Sequence, residues 1–184
     1  GRSLVKEFLA RECRGRRPVV ITLRNYDYLP VRNSSNEDWI AFANELDPTE
    51  FVPIFVHDTE TIMRPPPADF SGQIICEAAS WSLDIRAALF EEAWLNLAIM
   101  HGPMELCWYI QSASYVVFLE PNKTPLSTPS RFAENGQIIG QDFVFSTPYQ
   151  HIAWCEDNLV NIRTEFERMR EILDRPSSPS EQSL

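Results

Sequence analysis

The chain has 184 residues, 44% of them hydrophobic and 23% charged, and carries a net charge of −10 at pH 7. That is one domain of ordinary size with enough apolar chain for a core, and its acidity argues against nucleic acid as the expected partner. No stretch approaches the roughly 20 apolar residues that cross a bilayer, and no signal peptide is visible. The four cysteines, Cys13, Cys76, Cys107 and Cys155, are scattered without a CxxC pair. They predict buried thiols in a reducing compartment and no metal cluster. The cytoplasm is the expected location, with peripheral contact at the inner face of the membrane left open. The chain opens on Gly1-Arg2-Ser3 without an initiator Met and reads as a piece of something longer.

In chain order, residues 4–12 predict a short helix behind Ser3, and Arg14-Gly15-Arg16-Arg17-Pro18 a basic connector. The β-branched run at 19–23 predicts a strand covered on both faces. A polar loop, 24–35, leads to a helix at 36–46 with Trp39, Ile40, Phe42, Ala43 and Leu46 on one stripe. A second strand follows at 51–56, its first residues expected to be irregular because of Pro53. Residues 59–72, with three consecutive prolines, predict a loop. A short strand at 73–76, a helix at 83–93 capped by Ser82, and a strand at 94–99 come next. A helix at 103–111, a fifth strand at 115–119 and a long excursion from 120 to 142 continue the chain. Residues 148–154 read as one short helix, 157–173 as a longer one, and 175–184, rich in Ser and Pro, as a disordered tail. The domain division expected is 1–18 for the helix and basic linker, 19–173 for the body and 174–184 for the tail.

Strands alternating with helices predict an α/β, Rossmann-like, three-layer open sheet, mostly parallel, of about five strands with helices on both faces. Right-handed crossovers bring the carboxyl ends of such strands to one edge, where ligands bind. Those ends hold Arg24-Asn25, Asp58, Glu77 and His101-Gly102. The sharpest of them is Met100-His101-Gly102-Pro103-Met104-Glu105. Pro103 suits a first helical position, Gly102 permits close approach to the backbone, and a helix start attracts anions. A tight turn with no ligand is the plain alternative.

The order of these parts over residues 19–119 resembles the carboxyl-terminal half of two-domain, GT-B-type glycosyltransferases, in particular bacterial heptosyltransferase-like enzymes of lipopolysaccharide assembly. The resemblance implies that this half binds a nucleotide diphosphate-sugar donor, that a missing amino-terminal domain binds the acceptor and holds the general base, and that no metal or other cofactor is needed. The family's helix-start motif is Asp-Ser/Thr-Gly-x-x-His. Here Met100 stands for the acid and Glu105 for the histidine, while Gly102 is kept.

Arg24 and Arg32 are the candidates for the diphosphate, because a guanidinium fork matches paired phosphate oxygens and stays charged. Ion pairs with Asp27 or Asp38 are the structural alternative. Asn25, Asn33 and Ser34 are candidate hydrogen-bond partners that also suit ordinary turns. Asp58 ends the second strand. Glu77 is a candidate for a ribose hydroxyl and His101 for a phosphate. Pro103, Met104 and Glu105 complete the candidate substrate site. No catalytic residue and no metal ligand is assigned. A catalytically silent binding module and a sugar-nucleotide epimerase on the same architecture are the rival functions.

Overall fold

The structure is a computed structural model that describes residues 1–59 and 70–175. The proline-rich part of the expected loop, and all but the first residue of the expected tail, lie outside those residues. Six strands form one parallel sheet: β1 Arg17–Thr22, β2 Phe51–Val56, β3 Ile74–Ile75, β4 Leu95–Ile99, β5 Tyr115–Phe118 and β6 Gln150–Ala153. Their spatial order is β3-β2-β1-β4-β5-β6, a doubly wound sheet that reverses direction between β1 and β4.

Helices cover both faces. On one face α2 (Asn36–Glu45) and α7 (Leu159–Leu173) pack Trp39, Phe42, Ile162 and Phe166 over Val19, Ile21, Leu97 and Phe118. Trp39 meets Phe118 edge-on at 5.5 Å, and Phe42 meets Phe166 at 5.2 Å. On the other face lie α1 (Arg2–Cys13), α3 (Glu77–Trp81), α4 (Leu83–Glu92) and α5 (Glu105–Trp108), which bury Val5, Cys13, Ala79, Leu89, Phe90 and Cys107. A further helix, α6 (Pro129–Glu134), lies in the excursion after β5, with Pro129 at its start and the Thr128 hydroxyl accepting from Arg131 N. The connector after α1 turns at Arg14 and Gly15, both at positive φ, while Arg16 donates to the Glu12, Cys13 and Pro48 carbonyls and so caps α1.

Three expectations are corrected. Residues 148–154 are not a helix: Gln150–Ala153 is the sixth strand, paired in register with β5. Its sequence holds only two core residues, Ile152 and Ala153, so pairing rather than local pattern sets its conformation. The buried Gln150 is satisfied there by donating to the Ile110 and Ala113 carbonyls. The helix expected at 103–111 is instead one 3-10 turn, Gly102–Met104, followed by the four-residue α5. Pro53 does not disturb β2, which pairs with β1 from Phe51 onward. It shares the parity of Phe55, whose carbonyl accepts from Cys76 N on the β3 side, so its missing N–H falls where the two-residue pairing with β3 does not reach.

Candidate functional site

The reversal between β1 and β4 opens a crevice at their carboxyl ends, and the candidate residues divide around it. The first loop, 24–35, is closed by its own side chains. Arg24 N donates to Ser34 Oγ and Ser34 N to Arg24 O, both at 2.9 Å. The Arg24 guanidinium, inside that loop, donates to the carbonyls of Leu29 and Tyr28 (3.2 and 2.6 Å) and to Asn33 Oδ1. Asn33 is further held by Tyr26 N and O. Arg24, Asn33 and Ser34 thus shape the loop, and what they present to the crevice is Arg32. Its Nη2 donates to Met100 O at 3.4 Å, directly beside the Gly102 bend. Neither Arg24 nor Arg32 is ion-paired with Asp27 or Asp38 among the described residues.

His101 sits in the bend, 5% exposed, with a backbone hydrogen bond to Thr22 and its Nε2 without a partner. Burial first, then the guanidiniums of Arg86, Arg24 and Arg32, push its pKa down to about 3, so the ring is neutral. Arg86 is a residue the sequence reading did not single out. It lies in the first turns of α4, only 4% exposed, donating to the carbonyls of Ala79 and Ser80. Its signal in the sequence is its spacing three and four residues before Leu89 and Phe90, which puts it on the buried face of α4. Burial lowers the pKa of both Arg24 and Arg86, and Asp58 opposes that in both. Asp58 itself accepts from Asn25 N at 3.4 Å. Three guanidiniums therefore act together on His101, Asp58 opposing the effect of burial at Arg24 and Arg86, and none of the three is in an ion pair among the described residues.

Gly102 shows why the bend matters. Its φ is not left-handed, and a side chain built on it meets nothing within 4 Å. Neither the turn nor internal packing calls for glycine, and the bend opens onto free space. Pro103 starts the 3-10 turn, but Met104 is fully buried in the core and makes no part of the crevice. The short α5 carries little macrodipole, so charge attraction here comes from the guanidiniums. Glu77 opens α3 at the tip of β3, three strand spacings from β4, or roughly 14 Å. It is not brought to the crevice.

Beside Arg32, Met100 and Glu105 the crevice widens into a cavity of about 690 Å³, walled by the tips of β4, β5 and β6 and by the excursion at 120–146. Trp108, Phe143 and Phe145 form one wall, with Trp108 and Phe143 centroids 4.6 Å apart and Phe143 and Phe145 stacked at 5.0 Å. Asp142 pins that wall to β6 by accepting from His151 Nδ1 (2.8 Å) and Ile152 N (2.7 Å). At the far end the buried Asp157 accepts from Ser35 N and Trp39 Nε1, both at 2.9 Å, tying the tip of β6 to the start of α2. A group with phosphate at one end and an apolar or hydroxylated body at the other fits such a space.

No family model and no curated protein matches the sequence. Among solved structures the chain is similar to the glycosyl transferase family 9 protein of Veillonella parvula DSM 2008, with 12% identity and a TM-score of 0.57, over 96% of this chain and 44% of that one. The fold is glycosyltransferase-like. It is similar also to the E. coli ADP-heptose LPS heptosyltransferase II, with 10% identity and a TM-score of 0.56, over 92% of this chain and 50% of that one. The chain thus spans about half the length of the proteins it superposes on. No helix among its described residues is long and apolar enough to cross a membrane.

Proposed function

We propose that this chain is the donor-binding half of a bacterial glycosyltransferase, holding a nucleotide diphosphate-sugar at the β1/β4 crevice for transfer to a glycan or lipopolysaccharide-type hydroxyl. The observation that carries the reading is the unpaired guanidinium cluster facing a glycine bend that opens onto free space. Arg32 contacts the diphosphate, while Arg24 and Arg86, committed to backbone carbonyls, add fixed positive charge behind it. The same charge steadies the nucleoside diphosphate as it leaves, which is where a glycosyl transfer gathers negative charge. The neutral His101 spends its one N–H on Thr22, so its unpartnered Nε2 is a lone pair, and the ring helps to hold the anion only by taking up a proton that the phosphate charge favours. The acceptor and the general base belong to a second domain, as the similarity to proteins of twice this length supports.

Met100 and Glu105 replace the acid and the histidine of the glycosyltransferase motif, which favours a second reading: a module that binds nucleotide and transfers nothing. Titration calorimetry against ADP, UDP, GDP, CDP and dTDP tests both. Binding of one of them in the micromolar to low millimolar range is expected. No heat and no thermal stabilisation at 5–10 mM of any would overturn the donor reading, because a ligand specific for the folded state must raise its stability. Nucleotide binding with no transfer, once the chain is joined to an acceptor-binding domain, would select the silent module.

A further inference from the structure

We propose that the cavity beside the guanidinium cluster selects the transferred sugar by charge, accepting a neutral or amine-bearing sugar and rejecting a carboxylated one. This rests on the donor reading above, which places the diphosphate at Arg32, with the nucleoside to one side of it and the sugar to the other, toward the tips of β5 and β6. Along that path the charge changes sign. The cavity is lined by four carboxylates, Glu105, Glu120, Glu156 and Asp157, against Arg32 and Lys123. Lys123 is already committed, at 3.0 Å to Glu120 and 3.9 Å to Asp157. The Glu105 side chain has no hydrogen bond or ion pair among the described residues and stands exposed at the start of α5. Among the described residues that line the cavity, Arg32 and the committed Lys123 are the cations.

A second group in the cavity registers the same field. The Cys155 thiol has its pKa raised to about 11, by burial first and then by Glu165, Glu156, Asp157 and Glu120. The aromatic wall of Trp108, Phe143 and Phe145 offers flat apolar faces to the C–H side of a sugar ring, and the Trp108 indole N–H is buried without a partner. Hydroxyls and an amine can donate to the Glu105 carboxylate and to the remaining acceptor positions of Glu156, which already accepts from Asn158 Nδ2. A sugar carboxylate would meet like charge in a partly desolvated space, where repulsion is much stronger than in water. Exclusion of the wrong ligand, rather than one strong contact to the right one, is the device.

The test uses probes that carry no base, so it does not depend on which nucleotide binds. Inorganic pyrophosphate, glucose 1-phosphate, glucosamine 1-phosphate and glucuronic acid 1-phosphate are titrated into the intact chain by ligand-observed NMR. Pyrophosphate is expected to bind, and glucosamine and glucose 1-phosphates to bind at least about tenfold more tightly than glucuronic acid 1-phosphate. In the double variant Glu105→Gln, Glu156→Gln that gap should close to within about threefold as the like charge is removed. Equal binding of the glucuronic acid compound, or a gap that the variant leaves intact, overturns the charge selection. So does pyrophosphate binding with no sugar 1-phosphate exceeding inorganic phosphate, an outcome that leaves the donor reading standing. Failure of pyrophosphate itself to bind overturns the donor reading together with what rests on it.

Discussion

The two ends of the sheet treat arginine in opposite ways. At the amino end, Arg17 pairs with Glu50 and Asp174, each at 2.9 Å, and lies over the rings of Phe51 and Trp94. Arg170 pairs with Glu50 at 3.1 Å and also lies over the Phe51 ring. Both of these guanidiniums have carboxylate partners, and the pairs close the bottom of the core over Phe51. At the carboxyl end, Arg24, Arg32 and Arg86 donate to carbonyls and one amide, and no carboxylate completes them. Neutralised arginines at one end hold the fold together. Unneutralised ones at the other leave a positive potential, which is what the donor reading proposed above rests on. In a chain of net charge −10 that contrast is what marks the site.

Four experiments break or sharpen the contrast. The largest effect is expected from Arg32→Ala, which should weaken nucleoside diphosphate binding by about 2–3 kcal/mol, the range of a charge-assisted hydrogen bond, with the melting temperature nearly unchanged. Calorimetry reads it, and an unchanged affinity would remove Arg32 from the site.

Next comes acid. Because the folded-state pKa of His101 is depressed to about 3 from an ordinary 6.5, the unfolded chain binds the extra proton first. Stability from this group is complete above pH 6.5 and lost as pH falls toward 3. Between pH 7 and 5 the loss is about 2 kcal/mol, and urea midpoints should show it shrinking in His101→Gln. A bound diphosphate, by offsetting the three guanidiniums, should flatten the same slope.

A smaller change, about 1.4 kcal/mol or tenfold in ligand affinity, is expected from Gly102→Leu, whose side chain would occupy the open side of the bend. Its stability should stay within about 0.5 kcal/mol of the parent, since nothing internal is displaced. Loss of stability instead would mean that the glycine serves the fold. The smallest effect belongs to the amino end: Arg170→Ala should cost under about 1 kcal/mol, as partly exposed pairs do, and leave nucleotide affinity untouched.

These contrasts were only partly legible in the primary sequence. The runs at β1, β2 and β4 announce buried parallel strands because both faces of each are covered, so most of their residues are apolar and many are β-branched, while the buried Asn96 is satisfied by donating to the Phe90 and Ser114 carbonyls. The crevice was legible for a related reason: Arg32, His101, Gly102 and Glu105 lie within a short reach of a strand end or a turn. Strand β6 was not, since Gln150-His151-Ile152-Ala153 becomes a strand through its pairing with β5 and not through any pattern of its own. Nor could the residues alone tell a guanidinium saturated by its loop, Arg24, from one that reaches the crevice, Arg32. Phe143 and Phe145 meet Trp108 only because a segment more than thirty residues downstream folds back over α5, and no local signal encodes that return.

The carboxylate of Asp157 carries one more implication, for the order in which the molecule can be completed. It supplies the acceptor for Ser35 N and Trp39 Nε1 from 122 and 118 positions further along. A chain emerging amino end first from the ribosome therefore leaves the entrance of α2 without its partner until nearly the whole domain has been synthesised. The loop at 24–35 that precedes that entrance closes through its own hydrogen bonds, but its junction with α2 stays unanchored in any nascent chain that stops short of Asp157.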